Sequence, residues 1–500
     1  MDSSRKSAYL VPFTIGAILL SAAAYFWSYG LQPVWWFMWL APVPLLLMAP
    51  RLRAWAAASM AFAALTLGGL DMWHYHRLLH FPLWLAIAFL LEPAIVLVIA
   101  VLLYRAFLVR VYPWRAVLVF PAVVVAAEYL VSLSQGTFGN TAYTQLRNLP
   151  VLQLGALTGL WGIAFVTMLI PAMAAAALLL REHARRHMAL ALTVIVVSVL
   201  AYGTFRLHFT PPPPATVLVG LAESDTPEHV FPSDGPGTLA LMQGYVQEVQ
   251  TLAAQGAKFI VLPEMTAVVV DSLSPRIDAL FQQTAHAAGA QVLLGVLHVT
   301  NRGTFNEARL YSSAGTVDTV YRKHHLVPVA EGRTTPGAEI SVLPQRPGTI
   351  GIEICRDMDY PELARRYSAS GVGLVLVPAW EFGSDELWHG HMALMRGVED
   401  GFTIVRTAKA GFLTVSDDRG RVLAEEATSP HREFTTMLAQ VPVRHDITLY
   451  QKWGDWFAWL DLALLSALLL SFLRERSEAP PEGTIRRLDV TKPVLETNRP

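Results

Sequence analysis

The sequence is short of cysteine, of charge and of charge imbalance. One cysteine, Cys355, stands among 500 residues, so no intramolecular disulfide can form and any part outside the cytoplasm must hold together by its own core. Charged residues make up only 15%, where about a quarter is usual in water-soluble chains. Lys+Arg of 38 against Asp+Glu of 39 leaves a net charge of -1. No basic field exists to hold nucleic acid, and no acidic excess marks a disordered solvating chain. The sequence also lacks an internal repeat and a phosphate-cradling glycine loop.

In their place are apolar residues, 53% of the chain, with a mean hydropathy of +0.40. Runs long enough to cross a bilayer, about 20 residues each, fall near 9–27, 34–48, 54–73, 82–104, 114–133, 156–180 and 188–205, and an eighth near 455–473. Arg5, Lys6 and the small residues Ala22, Ala23 and Ala24 give the first run a superficial likeness to a signal peptide. Its length and the runs that follow favour an uncleaved span.

Basic residues orient the spans, because Lys and Arg are retained on the cytoplasmic side. If every run crosses, Arg5 and Lys6, Arg51 and Arg53, Arg105, Arg110 and Arg115, Arg181, Arg185 and Arg186, and Arg474 and Arg476 share one face. That face is the cytoplasm. Both termini are therefore expected inside a bacterial inner membrane, with the long segment before the last run in the periplasm. The expected domains are a seven-span region over 1–210, a water-facing domain over 211–450, a final span over 451–474 and a disordered cytoplasmic tail over 475–500.

Pro211 to Pro214 form a stiff spacer into the water-facing domain. Within it, short β-rich runs at 217–221, 259–262, 292–299, 309–312, 317–321, 350–354, 374–377, 403–406 and 413–415 read as strands. Helical spacing marks 239–254, 276–288, 361–370 and 386–400. Strands alternating with helices predict an α/β domain.

Several residues there have reactive side chains at strand ends. Cys355 follows Gly351-Ile352-Glu353-Ile354 and precedes a helix that Pro361 helps to start. Helix amides would favour a thiolate there, so it reads as a nucleophile or as an inert buried small residue. Glu264 ends Phe259-Ile260-Val261-Leu262-Pro263 as a general base or a solvated cap, and Lys323 leaves a hairpin as a site lysine or an exposed one. Glu331 lies eight residues further on.

Taken together, Glu264, Lys323 and Cys355, each at the end of an apolar strand, resemble the Glu-Lys-Cys set of the nitrilase superfamily. Seven spans before such a domain and one after it resemble the apolipoprotein N-acyltransferase family more narrowly. Supporting strings are Leu262-Pro263-Glu264, Tyr321-Arg322-Lys323-His324-His325-Leu326-Val327-Pro328, Gly454-Asp455-Trp456, and Tyr143 with Gln145. The resemblance implies a polytopic helical membrane bundle carrying a nitrilase-like αββα domain. It also implies acyl transfer from a phospholipid, through a thioester on Cys355, to the N-terminal amine of a diacylglyceryl-modified lipoprotein. Glu264 would be general base and acid, Lys323 would support thiolate and oxyanion, and Glu331 would orient them. The partners implied are phospholipid, lipoprotein and membrane lipid, with no cofactor and no metal.

Departures from the family's pattern fall on the acceptor side. Arg356 and Asp357 replace an aromatic and a glutamate after the nucleophile, and Asp357 is expected to order the acceptor pocket with help from Arg356. Pro378-Ala379-Trp380 and Ala408-Lys409-Ala410-Gly411 lack expected asparagines. Trp380, Phe382, Trp388 and His389 are candidate substrate contacts; the three aromatics read either as core or as a lipid-admitting wall, and His389 reads as a helix-surface residue near the site. His74, His76 and His80 with Asp71 lack the further acids or thiols of a usual metal site. Glu92 and Glu128, inside predicted spans, read as bundle-internal hydrogen bonds or as contacts to a lipid headgroup. Two other functions remain open at this point: a membrane-tethered amidase with water as acceptor, and a non-catalytic membrane scaffold.

Overall fold

A computed structural model describes residues 3–477, apart from 80, 210–211, 214, 228–231, 233–234, 329, 346–347, 382 and 384. The tail expected over 475–500 lies, from 478 onward, outside the described residues, as do His80 and the candidate contact Phe382.

Six of the eight apolar runs form single helices of spanning length: Leu10–Tyr29, Leu83–Val109, Pro113–Gln135, Leu160–Leu179, Glu182–His208 and Trp456–Arg474. The other two are broken. Ala54–Gly68 and Asp71–Leu78 meet at a 51° bend, where adjacent Gly68 and Gly69 weaken the helix. Residues 34–48 form two six-residue helices, Trp35–Leu40 and Val43–Met48. Pro42, at the break, has no N–H to continue the first of them. This run still passes between two levels: the Trp35 carbonyl accepts from Gln145 Nε2 at 3.1 Å, and the Leu52 carbonyl accepts from Arg105 Nε at 3.0 Å. Leu19, Leu20, Ile95, Leu190, Val194 and Leu470 are exposed around the bundle, a surface suited to lipid tails.

Inside the bundle, Tyr104, Phe120, Trp161 and Met168 belong to an apolar cluster that continues into Trp388, Met392, Met395 and Val398 of the water-facing half. Polar contacts fix the junction. Glu399 Oε1 accepts from the Leu160 N–H at 2.7 Å, satisfying an orphan donor at the start of helix Leu160–Leu179. Glu399 Oε2 pairs with Arg396 at 2.9 Å, and Arg396 donates to the Tyr143 hydroxyl at 3.2 Å.

The water-facing half contains β1 (Thr216–Glu223), β2 (Phe259–Val261), β3 (Val268–Val270), β4 (Gln291–Thr300), β5 (Gly303–Tyr311), β6 (Val317–Arg322) and β7 (Ser341–Leu343). The chain continues through β8 (Ile350–Ile352), β9 (Leu374–Trp380), β10 (Thr403–Lys409), β11 (Phe412–Ser416), β12 (Val422–Ala427) and β13 (Thr435–Pro442). One sheet has the order β13-β1-β2-β4-β5-β6 with β3 beside β4, and the other has the order β12-β11-β10-β9-β8-β7. Strands β1, β2 and β4, and strands β8, β9 and β10, run parallel, so their apolar runs are buried on both faces. Val219, Leu221, Val261, Leu293, Ile352, Leu376 and Val405 pack between the sheets. Helices Gly235–Ala254 and Ser274–Ala288 cover one outer face, and Pro361–Ala369 and Glu386–Asp400 cover the other. The result is the expected α/β domain, built as four layers.

Strands β3, β7, β12 and β13 go beyond the sequence reading. Three residues carry too little periodicity for β3 and β7, and β12 is interrupted by Glu425 and Glu426. β13 gains its place by pairing with β1, more than 200 residues earlier.

Candidate active site

Glu264, Lys323 and Cys355 leave β2, β6 and β8 at one end of the sheets and meet beneath the membrane half. Lys323 Nζ lies 2.7 Å from Glu264 Oε1 and 2.8 Å from Glu331 Oε2. Asn306, on β5, donates to Glu264 Oε1 at 2.6 Å and to Glu331 Oε1 at 2.7 Å, and the Val327 N–H donates to Glu331 Oε2 at 2.8 Å. The Cys355 thiol faces the Trp380 carbonyl at 3.6 Å. Glu264, Lys323, Glu331, Asn306 and Cys355 are buried, so each charge needs its partners.

Burial governs the protonation of these groups. It raises the Cys355 pKa well above the ordinary thiol value, with Glu264 adding to the rise and Lys323 opposing it. It also raises Glu264, against the pull of Lys323. Burial disfavours charge on Lys323, but Glu264 and Cys355 raise its pKa above the ordinary amine value. Burial thus favours the neutral thiol at Cys355, where the sequence suggested a thiolate favoured by helix amides. Cys355 opens a short three-per-turn helix, Cys355–Asp359, and helix Pro361–Ala369 begins only after it.

That turn sorts its side chains. At three residues per turn, Arg356 and Asp359 share an edge, and both line the cavity described below. Asp357 points inward instead and is fully buried. It accepts from the Tyr321 hydroxyl (2.7 Å), the Ile354 N–H (3.1 Å), and the N–H groups of His324 (3.1 Å) and His325 (2.8 Å). Burial would raise its pKa, but hydrogen bonds from His325 and Tyr321 hold it below the ordinary carboxylate value. Asp357 thus braces the loop after Lys323 and is not among the cavity-lining residues, contrary to the acceptor-pocket expectation. Arg356 reaches the Leu326 carbonyl of the same loop and the Gln135 carbonyl.

A cavity of about 1410 Å³ extends from Glu264, Lys323 and Cys355 to Leu65, Leu97, Val124 and Met168 among the membrane helices. Trp380 and His389 line it. Trp388 does not; it is core, with its ring 6.0 Å from Tyr143 and 6.4 Å from Phe138. Glu92 and Glu128 both line the cavity, and Glu128 Oε1 accepts from the Thr141 N–H (3.0 Å) and hydroxyl (2.5 Å). His76 stacks near Phe81 and Phe89, while Asp71 closes on Gly30, so these two do not form a ligand set.

Reasoning from the sequence missed Asn306, Asp359, Glu381, Asp385 and Arg406. His389 Nδ1 lies 3.0 Å from Glu381 Oε2 and 3.1 Å from Asp385 Oδ2. Arg406 pairs with Glu381, and the Tyr75 hydroxyl donates to Asp385 at 2.7 Å. Burial would lower the His389 pKa, but Glu381 and Asp385 hold it well above the usual imidazole value. Among the described residues, Glu381, Asp385 and His389 form a group compact enough to hold a metal ion. Arg406, Tyr75 and His389 already bond its carboxylates.

Residues 219–443 match the carbon-nitrogen hydrolase family, and residues 16–173 match the apolipoprotein N-acyltransferase N-terminal domain. The apolipoprotein N-acyltransferase of Geobacter metallireducens is 26% identical over 409 residues, covering 75% of this chain and 72% of its own. That of a Nostoc species is 22% identical, covering 69% of this chain and 73% of its own. Among solved structures, an amidase from a Nesterenkonia species matches with 19% identity and a TM-score of 0.40, covering 47% of this chain and 92% of its own.

Proposed function

The chain belongs to the apolipoprotein N-acyltransferase family, which acylates lipoproteins at nitrogen, and from that premise we propose a two-step transfer centred on Cys355. In the first step Sγ attacks the ester carbonyl of a phospholipid while Glu264 takes the thiol proton. The C–O bond breaks, the proton passes to the leaving oxygen, and lysophospholipid departs from a thioester. In the second step the α-amine of a diacylglyceryl-modified lipoprotein attacks the thioester, the C–S bond breaks, and Glu264 returns the amine's proton to the sulfur. Lys323, held by Glu264 and Glu331, which Asn306 braces, keeps a positive charge beside the thiolate and the developing oxyanion.

One observation carries this reading: the cavity that holds Cys355 continues between membrane helices. Pockets for small ligands occupy about 300–1,000 Å³, and an amidase acting on small amides has no use for an apolar extension. A scaffold has no use for a buried lysine ringed by carboxylates, which is costly to maintain.

Intact-mass analysis of the protein incubated with phospholipid vesicles tests the proposal. An acyl adduct on Cys355, discharged by an N-terminal lipopeptide, is expected; ammonia release from small amides with no adduct would favour the amidase. The basic-loop bias further supports a periplasmic site with both termini cytoplasmic. A reporter fused after Leu473 should then read as cytoplasmic, and a periplasmic reading would reverse the orientation.

A further inference from the structure

The turn carrying Cys355 is held partly from outside its own domain. Cys355 has φ 47°, a left-handed conformation that a residue with a Cβ keeps only where its surroundings enforce it. Asp357 supplies one restraint from below. The others reach the membrane half. The N–H and hydroxyl of Thr137 both donate to the Asp359 carbonyl, at 2.9 and 2.8 Å. Arg356 Nη2 donates to the Gln135 carbonyl at 3.1 Å, and Nη1 of the same guanidinium donates to the Leu326 carbonyl at 2.5 Å.

Arg356 therefore joins three pieces: the Cys355 turn, the loop after Lys323, and the last residue of helix Pro113–Gln135. Its fixed fork can serve two carbonyls at once, which a lysine's single ammonium on a flexible stem does less well. Val131, Ser134, Gln135, Thr137 and Phe138 line the same cavity. The segment on which Arg356 leans is thus a wall of the proposed lipid site.

We infer that Arg356 is a positioning residue, with Thr137 as a second tie: together they clamp the Cys355 turn to the end of helix Pro113–Gln135, so that the thiol is aligned with Glu264 and Lys323 only when that helix end is seated. The inference rests on Cys355 being the nucleophile. It makes the membrane helix part of the reactive geometry as well as the container for the lipid.

The test uses the full chain in phospholipid nanodiscs. Because Cys355 is the sole cysteine, a small haloacetamide reads its reactivity alone. Arg356→Gln should slow acyl-enzyme formation at saturating phospholipid by about 10²-fold, the cost of a misplacement near 1 Å, with the half-saturating lipid concentration unchanged. Alkylation should slow with it, while the pH midpoint of alkylation stays at the wild-type value, since the guanidinium acts through geometry. Arg356→Lys should recover part of the rate. Thr137→Val, a mild change that keeps one of the two bonds to Asp359, should lose a few-fold. Wild-type acylation and alkylation in Arg356→Gln would overturn the inference. So would full recovery by lysine, or a shifted pH midpoint that accounts for the lost rate. Cys355→Ala with turnover intact would instead sink the nucleophile reading, whatever Arg356 does.

Discussion

The cavity has two unlike walls. On the water-facing side, Glu264, Lys323, Glu331 and Asn306 bind one another at 2.6–2.8 Å, so moving one disturbs the rest. On the membrane side, Leu65, Leu97, Val124 and Met168 offer apolar surface without directional bonds, and such packing tolerates changes of shape better than polar networks tolerate loss of a partner. The difference assigns precision to one wall and capacity to the other.

The comparison can be broken most severely at the polar wall. Cys355→Ser should reduce acyl transfer by about 10³-fold or more, because a hydroxyl is a far weaker nucleophile in a site built for a thiol. Transfer near the wild-type rate, measured with vesicle phospholipid and a lipopeptide acceptor, would dissolve the distinction between the walls. The apolar wall should yield a different signature. Ala127→Trp, on a cavity-lining position of helix Pro113–Gln135, should lower transfer from long-chain donors about tenfold, roughly the discrimination that misfit in an apolar pocket gives. Short-chain donors and Cys355 alkylation should be nearly unaffected. Equal losses for all donors would mean that this wall also sets the chemistry.

The smallest expected effect is at His389, which lines the cavity but is tied to Glu381 and Asp385. Its raised pKa means that its charge stabilises the fold fully below the ordinary imidazole value of 6.5, and that this contribution is lost only as pH climbs through the raised value. His389→Gln should therefore lower the melting temperature by about 2–4 °C at pH 6 and by less at high pH. A larger deficit at high pH would show that His389 is neutral in the folded protein.

Much of this was legible in the sequence, because apolar runs, and apolar strands followed by a single acid, amine or thiol, are local patterns. Glu264, Lys323 and Cys355 are each ambiguous alone and gain weight only as a set at successive strand ends, whereas spans of about twenty apolar residues stand out singly. Asn306 does not: it sits inside β5, and only the antiparallel register with β4 and β6 brings it to Glu264. Asp357 misled through proximity, since two steps along a three-per-turn helix rotate its carboxylate away from the cavity that Arg356 and Asp359 face. Trp388 has the same bulk as Trp380, and nothing in the sequence says that one ring is core while the other's carbonyl meets the thiol. The break at Pro42 was visible as a proline, but hydropathy averages over it.

The apolar cluster that runs from Trp161 and Met168 into Trp388, Met392, Met395 and Val398 has a bearing on biogenesis. The water-facing half leaves part of its hydrophobic surface uncovered until the bundle is in place. The ribosome delivers the bundle's first seven runs before that half, so an assembled platform awaits it, and helix Trp456–Arg474 arrives last to close the structure. Severed from that platform, residues 216–443 would carry a bare adhesive patch and tend to aggregate. Inserted with it, the two halves share that apolar cluster, so heating is expected to melt them together, and calorimetry that resolved two transitions would show otherwise.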